Sequence, residues 1–337
     1  MCQCLRDKSV LVDAKKPSPL RTVYLHIGTH KTGTTSIQRF LARADDALDR
    51  QGILYPETGR PETSYSDQYG HHKLYWSMVG KRGISGDQVW SELKEEVAQH
   101  PEHSIVLSAE GFSMIKERKV RQVLEYINVR PLHVVVYIRH PVQLLKSAYK
   151  QRIKSGTYKN TFVLFVRQMS HLCDYLGLVS RWKQSDGVES VNIRIFDKVK
   201  KNPGLEASFA DTVGIDFEKV RTFVDSPANT SPPDDRVQVV RWINAAETLG
   251  KEGGVWQALT SRARSNVRGE RWPGSWLVGA MRPFLRGSLV TDQAVDVLRE
   301  ELKDVHDHFL SRYVDPDDRH YLSLSDEREW GTEWQRS

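Results

Sequence analysis

The sequence predicts an α/β fold whose central, mostly parallel sheet is flanked by helices. Short β-rich runs alternate with segments of helical spacing over the first two thirds of the chain. One run, Val134–Ile138, is apolar throughout, as a strand covered on both faces should be. The predicted strands are Thr22–Gly28, Ile53–Tyr55, Ser104–Ser108, Val134–Ile138 and Val191–Phe196.

Helices are predicted between these strands. The first follows residues 29–36, because four apolar residues then recur at helical spacing: Ile37, Phe40, Leu41 and Leu48. Further helices are predicted at 87–99, 117–127, 141–154 and 160–184. After Pro232-Pro233, residues 235–313 show helical patterns and no strong strand pattern. We therefore expect a flexible leader over 1–20, an α/β core over 21–232 and a helical C-terminal extension over 233–337, packed on the core.

The composition limits the possible partners and compartments. The chain has 337 residues, a net charge of +6 and an ordinary globular balance of residue types. A modest positive excess suits an anionic ligand. The sequence contains no zinc-finger spacing, no basic zipper helix and no aromatic RNA-binding signature, so nucleic acid is not an expected partner.

The cysteines and the hydropathy favour a cytoplasmic location. Of the 3 cysteines, Cys2 and Cys4 lie in the leader and Cys173 lies far from them. An odd number argues against a disulfide framework, and two cysteines alone cannot complete a four-ligand zinc site. No run approaches the ~18 apolar residues of a membrane span, and the leader has no secretory apolar region.

The first motif runs from Leu25 to Ser36 and reads LHIGTHKTGTTS. A loop between a strand and a helix N-terminus presents backbone N–H groups and a partial positive charge. Gly33 lets the backbone approach a ligand, Lys31 adds a cation, and the four hydroxyls within His30–Ser36 can donate hydrogen bonds. They belong to Thr32, Thr34, Thr35 and Ser36. The motif predicts a cradle for phosphate or sulfate; the alternative is a capping turn that binds nothing.

This loop differs from the Walker A loop of nucleoside triphosphatases and kinases. That pattern is G-x-x-x-x-G-K-[ST], with lysine after the second glycine, whereas Lys31 precedes Gly33. No clean Walker B carboxylate follows Val134–Ile138 either, since the next residue is Arg139. Both observations count against a magnesium-dependent, P-loop-type ATP kinase, which stays as an alternative.

The second motif joins a buried strand to the helix after it. Arg139 follows the run Val134–Ile138, Pro141 suits a first helical turn, and Ser147 lies two turns further. Open α/β sheets bind ligands at the carboxyl ends of their strands, where arginine can clamp a phosphate with two hydrogen bonds. The alternatives are a structural salt bridge for Arg139, an ordinary helix position for Ser147, and solvated surface for Lys146 and Lys150.

Together the two motifs resemble those of sulfotransferases that use 3′-phosphoadenosine 5′-phosphosulfate (PAPS). His30–Ser36 resembles that family's 5′-phosphosulfate loop, and Arg139 with Ser147, eight residues apart, resembles its 3′-phosphate site. The form His-Lys-Thr-Gly-Thr-Thr is closer to the bacterial and carbohydrate branches than to the cytosolic small-phenol branch. The resemblance covers about residues 22–45 and 104–155.

The resemblance implies a P-loop-like architecture and transfer of a sulfuryl group from PAPS to a hydroxyl of a carbohydrate or glycolipid, without a metal. The product would be 3′-phosphoadenosine 5′-phosphate (PAP). Lys31 would contact the phosphosulfate, Thr32–Ser36 would wrap the 5′-phosphate, and Arg139 with Ser147 would hold the 3′-phosphate. Weaker candidates are Arg194, Lys198 and the segment Ala228–Ser231, which resembles a late loop near the nucleotide. A non-catalytic phosphoadenosine-nucleotide or glycan-binding protein is the remaining alternative.

The acceptor hydroxyl must lose a proton, so a general base is expected. Glu110 is the first candidate, because it follows the strand Ser104–Ser108 and so lies at the sheet edge that carries both motifs. Its alternative is a capping or salt-bridging role. His30, beside Lys31, is the second candidate. His71 and His72, in a Gly- and Tyr-rich stretch that could overhang the site, come third, while His26 is expected to be structural.

The acceptor side is expected near residues 262–286. This segment interleaves tryptophan, leucine and phenylalanine with one acid, Glu270, and six arginines: 262, 264, 268, 271, 282 and 286. It could grip an anionic or sugar acceptor, or contact an anionic inner-membrane surface peripherally. The third interpretation is a solvated helical face over an ordinary core.

Overall fold

A computed structural model describes residues 22–61, 69–127, 131–224, 231–247 and 289–325. The predicted leader, the segment 228–230 and the arginine-rich segment 262–286 lie outside the described residues.

The described core is built on a five-stranded parallel sheet, which confirms the predicted fold class. The strand order is β2-β3-β1-β4-β5, and all four strand pairings are parallel. Every predicted strand is present, although the last two begin two and three residues earlier than expected. The strands are β1 Val23–His26, β2 Ile53–Leu54, β3 Ser104–Ser108, β4 Leu132–Ile138 and β5 Val188–Ile195.

Helices connect the strands and cover the sheet. Up to β5 they are α1 Thr34–Arg43, α2 Asp45–Asp49, α3 His72–Met78, α4 Gly86–Ala98, α5 Glu117–Ile127, α6 Pro141–Lys154, α7 Phe162–Met169 and α8 Tyr175–Lys183. After β5 they are α9 Phe196–Val199, α10 Leu205–Val213, α11 Asp234–Glu247 and α12 Asp292–Tyr313. Short 3₁₀ turns occupy Glu110–Met114, Ser170–Cys173, Phe217–Lys219, Arg221–Phe223 and Pro316–Tyr321.

The prediction of one helix over 160–184 was wrong, because two helices occupy this range. The 3₁₀ turn Ser170–Cys173 separates α7 from α8. Asp174 then begins α8 as its N-cap, and its side chain accepts a hydrogen bond of 2.8 Å from the Gly177 N–H. An aspartate in this position favours a new helix start over continuation of the previous helix.

Strand β4 shows why the sheet is buried on both faces. Val134 and Val136 belong to one apolar cluster, together with residues of α4 to α8. Val135 and Tyr137 belong to a second cluster, with residues of α1, α2 and α10. Successive side chains of a strand point to opposite faces, so a continuous apolar run contributes to both clusters.

The described C-terminal helices pack on the same core. Val237 of α11 and Leu298 and Phe309 of α12 belong to the first cluster. None of the helices within the described residues is long and apolar enough to cross a membrane.

Helix α11 is also held to α6 by charge. Asp234 lies 3.0 Å from Lys146 and 2.7 Å from Lys150. Lys150 is only 9% exposed and donates a further hydrogen bond of 2.8 Å to the Pro232 carbonyl. The interpretation of these lysines as solvated surface was therefore wrong, because a carboxylate distant in sequence pairs with both.

Candidate functional site

The topology brings the three predicted site segments to one edge of the sheet. β1 lies between β3 and β4, and all three strands are parallel. Their carboxyl ends therefore share an edge, where β1 continues into the loop 27–33, β3 into Glu110 and β4 into Arg139. Open α/β sheets bind ligands at this edge, beside the strand from which the chain order diverges in both directions.

Two buried threonines hold the loop 27–33 in place, one by a bond to the sheet and the other by a bond within the loop. The Thr29 hydroxyl donates a hydrogen bond of 2.8 Å to the Tyr137 carbonyl of β4. The Thr32 hydroxyl donates a hydrogen bond of 2.7 Å to the Thr29 carbonyl. The Thr32 side chain thus shapes the loop in this structure, and its backbone N–H is the group it can offer to a ligand.

Along this loop the backbone φ angle alternates between positive and negative values. Lys31 has φ 67° and Gly33 has φ 76°, both in the left-handed region. Such alternation gathers successive N–H groups into a concave anion-binding arrangement. The N–H groups of four loop residues donate no hydrogen bond to any described residue: Thr29, His30, Thr32 and Gly33. The loop then enters α1, whose N-terminus adds partial positive charge.

Gly33 is required here by packing as well as by φ. A Cβ at this position would lie 2.3 Å from Leu205 Cδ2 and 3.2 Å from the ring of Phe196. Side chains of the protein therefore fill the space that a side chain at position 33 would need, and the approach of a ligand to the Gly33 backbone stays a prediction.

The remaining hydroxyls of the motif lie in three different environments. The Thr34 hydroxyl is buried and has no hydrogen-bond partner among the described residues. A Cβ at Gly28 would lie 2.8 Å from that oxygen, so Gly28 is needed for its placement. Thr35 is exposed, and the Ser36 hydroxyl donates to the carboxylate of Glu206 on α10.

The loop therefore fits a phosphate or sulfate group in most respects. Unpaired backbone N–H groups, the unpaired Thr34 hydroxyl and the cation of Lys31 all favour an anion. The Glu206 carboxylate beside Ser36 opposes one, because like charges repel.

Glu110 and His30 meet at the mouth of this loop. The distance between Glu110 Oε1 and His30 Nδ1 is 3.6 Å, and both side chains are about one third exposed, at 35% and 34%. The other ring nitrogen of His30 lies 3.2 Å from the Met114 sulfur. The structure thus brings together the first two general-base candidates.

The pKa of Glu110 is lowered from its usual value. Burial acts to raise it, but the neighbouring His30 and the charges of His72 and Lys31 outweigh burial. Glu110 is therefore ionised near neutral pH and can accept a proton. The cation of Lys31 acts on the same carboxylate, which shows that the two side chains share one electrostatic environment.

The structure separates His71 from His72. His71 is fully buried, its Nδ1 accepts a hydrogen bond of 3.0 Å from the Ser108 N–H, and its Nε2 donates one of 2.9 Å to the Pro56 carbonyl. Burial lowers the pKa of His71 to about 3. The expectation that it overhangs the site as a base was wrong, because both ring nitrogens hold the β2 and β3 ends together. His72 is half-buried, and burial lowers its pKa. The charge of Glu110 acts to raise the same pKa, so His72 lies close enough to Glu110 to interact with it.

His26 is structural, as expected. It is fully buried at the end of β1, where its Nδ1 lies 2.9 Å from the Ser108 hydroxyl. Burial lowers its pKa to about 3, so the ring is neutral.

Arg139 joins the loop to the end of β5. It donates a hydrogen bond of 3.2 Å to the Lys31 carbonyl, and its Nε lies 3.4 Å from Asp197. Its guanidinium also lies 5.1 Å from the ring centroid of Phe196. The structural salt bridge weighed as an alternative is thus present, and a phosphate at Arg139 would share the guanidinium with Asp197.

Ser147 and the weaker candidates differ in their surroundings. The half-buried hydroxyl of Ser147 makes no hydrogen bond to a described residue. Arg194 donates to the Thr212 hydroxyl at 3.0 Å, and Lys198 lies 2.7 Å from Asp318. Arg194 and Lys198 thus bind side chains of the protein, whereas the Ser147 hydroxyl can donate a hydrogen bond to a ligand.

Two residues near the site are absent from the sequence predictions. Asp197 follows β5 at the same sheet edge, so the strand-end rule that selected Glu110 and Arg139 could have found it. Glu206 reaches Ser36 from 170 positions away. No local pattern signals such a contact.

No family model matches the chain. An uncharacterized protein of Archaeoglobus fulgidus is 27% identical over 149 residues, which is 44% of this chain and 40% of that protein.

Solved structures similar to this chain include three of sulfotransferases. A sulfotransferase from Alicyclobacillus acidocaldarius aligns with 70% of this chain and 99% of its own, at 14% identity and a TM-score of 0.41. The sulfotransferase domain of the Synechococcus PCC 7002 olefin synthase aligns with 85% and 96%, at 10% identity and 0.37. The sulfotransferase domain of the curacin biosynthetic pathway aligns with 84% and 98%, at 12% identity and 0.38.

Proposed function

We propose that this protein transfers a sulfuryl group from PAPS to a hydroxyl of a carbohydrate or glycolipid. The observation that carries the proposal is the loop 27–33, whose unpaired N–H groups and Lys31 adjoin an ionised Glu110. An anion-binding loop beside a carboxylate base is what transfer of an anionic group to a hydroxyl requires.

The residues act on opposite sides of the reacting centre. PAPS supplies the activated sulfuryl group, and the bond that breaks joins its sulfur to the 5′-phosphate oxygen. Lys31 and the loop N–H groups bind the 5′-phosphate and stabilise the charge that grows on it. Glu110 accepts the proton of the acceptor hydroxyl, and His30 orients the Glu110 carboxylate through their contact.

Recognition of the 3′-phosphate is assigned to Arg139 and Ser147. Arg139 lies at the shared sheet edge and contacts the loop through the Lys31 carbonyl. A bidentate guanidinium contact would distinguish PAPS from nucleotides that lack this phosphate. Lys150 of α6, the helix that carries Ser147, donates a hydrogen bond to the carbonyl of Pro232, which follows Ser231 in the chain.

The acceptor class rests on the form His-Lys-Thr-Gly-Thr-Thr, which resembles the bacterial and carbohydrate branches of the family. The arginine-rich segment 262–286 is the proposed acceptor contact, either to the glycan or, for a glycolipid, at an anionic membrane surface. Flotation with vesicles that contain or lack acidic lipid tests the membrane contact. Absence of binding in both cases contradicts it.

A magnesium-dependent ATP kinase is the second candidate, and one observation favours it. β3 lies beside β1, and an acidic residue, Glu110, follows the end of β3 close to Lys31. A carboxylate in this position could hold magnesium rather than accept a proton. The Walker A order is still absent, because Lys31 precedes Gly33.

Calorimetric titration of the purified chain distinguishes these candidates. PAP is titrated first, and 5′-AMP and ATP with magnesium serve as controls. Binding of PAP in clear preference to both supports the proposal, whereas preference for ATP with magnesium contradicts it. Labelled PAPS is then offered with a panel of glycans and glycolipids. PAP binding without transfer to any hydroxyl acceptor would favour the non-catalytic alternative.

A further inference from the structure

Three side chains that commonly ligate metals lie close together at the amino ends of β2 and β3, whereas the loop 27–33 lies at the carboxyl ends of the strands. Asp49 ends α2, and His100 and His103 precede β3, which begins at Ser104. The distance from Asp49 Oδ1 is 3.1 Å to His103 Nε2 and 3.6 Å to His100 Nδ1. The three ligand atoms lie within 4.8 Å of one another. Because this cluster lies at the amino end of β3, it is separate from the proposed transfer site at Glu110.

We propose that Asp49, His100 and His103 form a zinc-binding site. In a tetrahedral zinc site with bonds of about 2.0–2.1 Å, neighbouring ligand atoms are about 3.3 Å apart. The distances from Asp49 Oδ1 to the two histidine nitrogens lie on either side of this value. The side chains are 57%, 33% and 21% exposed in the order Asp49, His100 and His103, so water can reach the metal and complete its coordination.

The backbone holds the ligands in this arrangement. The His103 N–H donates a hydrogen bond of 3.2 Å to the His100 carbonyl, which closes the turn between the two imidazoles. The Gly52 N–H donates 2.9 Å to the Asp49 carbonyl, and the Ser104 N–H donates 2.9 Å to the Gly52 carbonyl. The turn after α2 is therefore attached to the start of β3, and ligands about 50 positions apart meet without a large rearrangement.

The donor set selects the class of metal. Two imidazole nitrogens and one carboxylate suit zinc and related late transition metals, whereas magnesium and calcium prefer oxygen ligands alone. Bound zinc would connect the end of α2 to the start of β3. A ligand that binds the folded chain and not the unfolded one stabilises it by mass action. The expected role is thus a structural clamp remote from the reaction.

The test measures zinc binding by equilibrium dialysis of the full, untagged chain and its thermal unfolding with and without zinc. All proteins carry Cys2→Ser and Cys4→Ser, because thiolates bind zinc themselves. His100→Gln and Asp49→Asn each remove one ligand, and Asp49→Asn is close to isosteric at an exposed position. His308→Gln changes an exposed histidine on α12 and is the matched control.

We expect about one zinc per chain, a higher unfolding temperature with zinc, and roughly tenfold or greater loss of affinity in His100→Gln and Asp49→Asn. His308→Gln should bind as the parent does. Unfolding in metal-free buffer verifies that each variant is folded. Absence of zinc binding, equal binding by the ligand variants and His308→Gln, or tighter binding of magnesium than of zinc overturns the proposal.

Discussion

Glu110 Oε1 lies 3.6 Å from His30 Nδ1, across the ends of two neighbouring strands. His30, His72 and Lys31 hold the pKa of Glu110 below its usual value against the effect of burial. The carboxylate is therefore present at neutral pH, and activity that depends on it is lost only as pH falls through that lowered pKa.

Glu110→Gln should lower the rate of sulfuryl transfer at neutral pH by about 10²-fold or more, because the amide cannot accept a proton. PAP affinity should change little, since the Glu110 side chain is assigned to the acceptor side. Steady-state kinetics and calorimetry measure the two effects. Glu117→Gln, at an exposed carboxylate on α5, is the control. Equal rates in the wild type and Glu110→Gln would remove Glu110 from the mechanism.

Lys31→Gly should cut turnover by roughly 10²-fold or more, because Lys31 stabilises charge that grows in the transition state. Glycine is chosen because φ at this residue is 67°, a conformation that glycine adopts without strain. The loop is thus retained while the cation is removed. Arg82→Gly, at another non-glycine residue with positive φ, controls for the backbone change. A turnover in Lys31→Gly equal to that of the control would contradict the assignment.

Arg139→Ala should weaken PAP binding by roughly tenfold or more and 5′-AMP binding by clearly less, because the guanidinium is assigned to the 3′-phosphate and contacts the loop only through the Lys31 carbonyl. Calorimetry with both nucleotides measures the difference.

Asp197→Asn separates this role from the structural salt bridge. It removes the charge that faces Arg139 and retains an acceptor for the His140 N–H, which now bonds Asp197 at 3.1 Å. The affinity of Asp197→Asn for PAP should equal or exceed that of the wild type. If both variants lose PAP and 5′-AMP affinity alike, Arg139 acts only through the salt bridge.

The features that local sequence predicts are those with a local cause. An unbroken apolar run requires a strand buried on both faces, and Val134–Ile138 lies within β4. Strand ends in a parallel sheet share an edge, so the order of residues along the chain is enough to group Glu110, Lys31 and Arg139. Each of these positions follows from its own neighbours in sequence.

The features that local sequence does not predict depend on distant partners. From the sequence, Lys146 and Lys150 are expected to be exposed on their helix, but in the structure Asp234 pairs with both. From the sequence, His71 is expected to lie in an exposed loop, but in the structure Ser108 and Pro56 form hydrogen bonds with its two ring nitrogens. Such pairings are decided by packing between elements, which a single sequence does not display.

Glu206→Gln should tighten PAP binding several-fold at low salt. Glu206 accepts the hydrogen bond of Ser36 and places a negative charge beside the proposed phosphate loop. Glutamine keeps the acceptor and removes the repulsion, and added salt should reduce the gain by screening. Calorimetry at two salt concentrations measures both effects. Glu218→Gln, on an exposed carboxylate paired with Arg221, is the control. Weaker PAP binding in Glu206→Gln would place the phosphate elsewhere.

His140→Asn should flatten the acid dependence of stability. His140 is 5% exposed, its Nδ1 accepts from the Val142 N–H at 3.2 Å, and its Nε2 donates to the Ser323 carbonyl at 2.9 Å. Burial lowers its pKa to about 3, below the ordinary histidine value of 6.5. The unfolded chain therefore takes up the proton first as pH falls.

The sign of the effect follows from this difference in proton uptake. The contribution of His140 to the free energy of unfolding is fully present above pH 6.5 and is lost as pH falls from 6.5 to about 3. The slope is about 1.4 kcal/mol per pH unit for one such histidine. Asparagine keeps an N-cap acceptor for α6 and does not titrate, so His140→Asn should be less stable at pH 7 and lose less stability on acidification. Urea unfolding at pH 7, 6, 5 and 4 measures the slopes. Val237→Ala in the buried face of α11, also destabilised, should keep the wild-type slope. A slope in His140→Asn equal to that of Val237→Ala would show that His140 takes up its proton in the folded chain as readily as in the unfolded one.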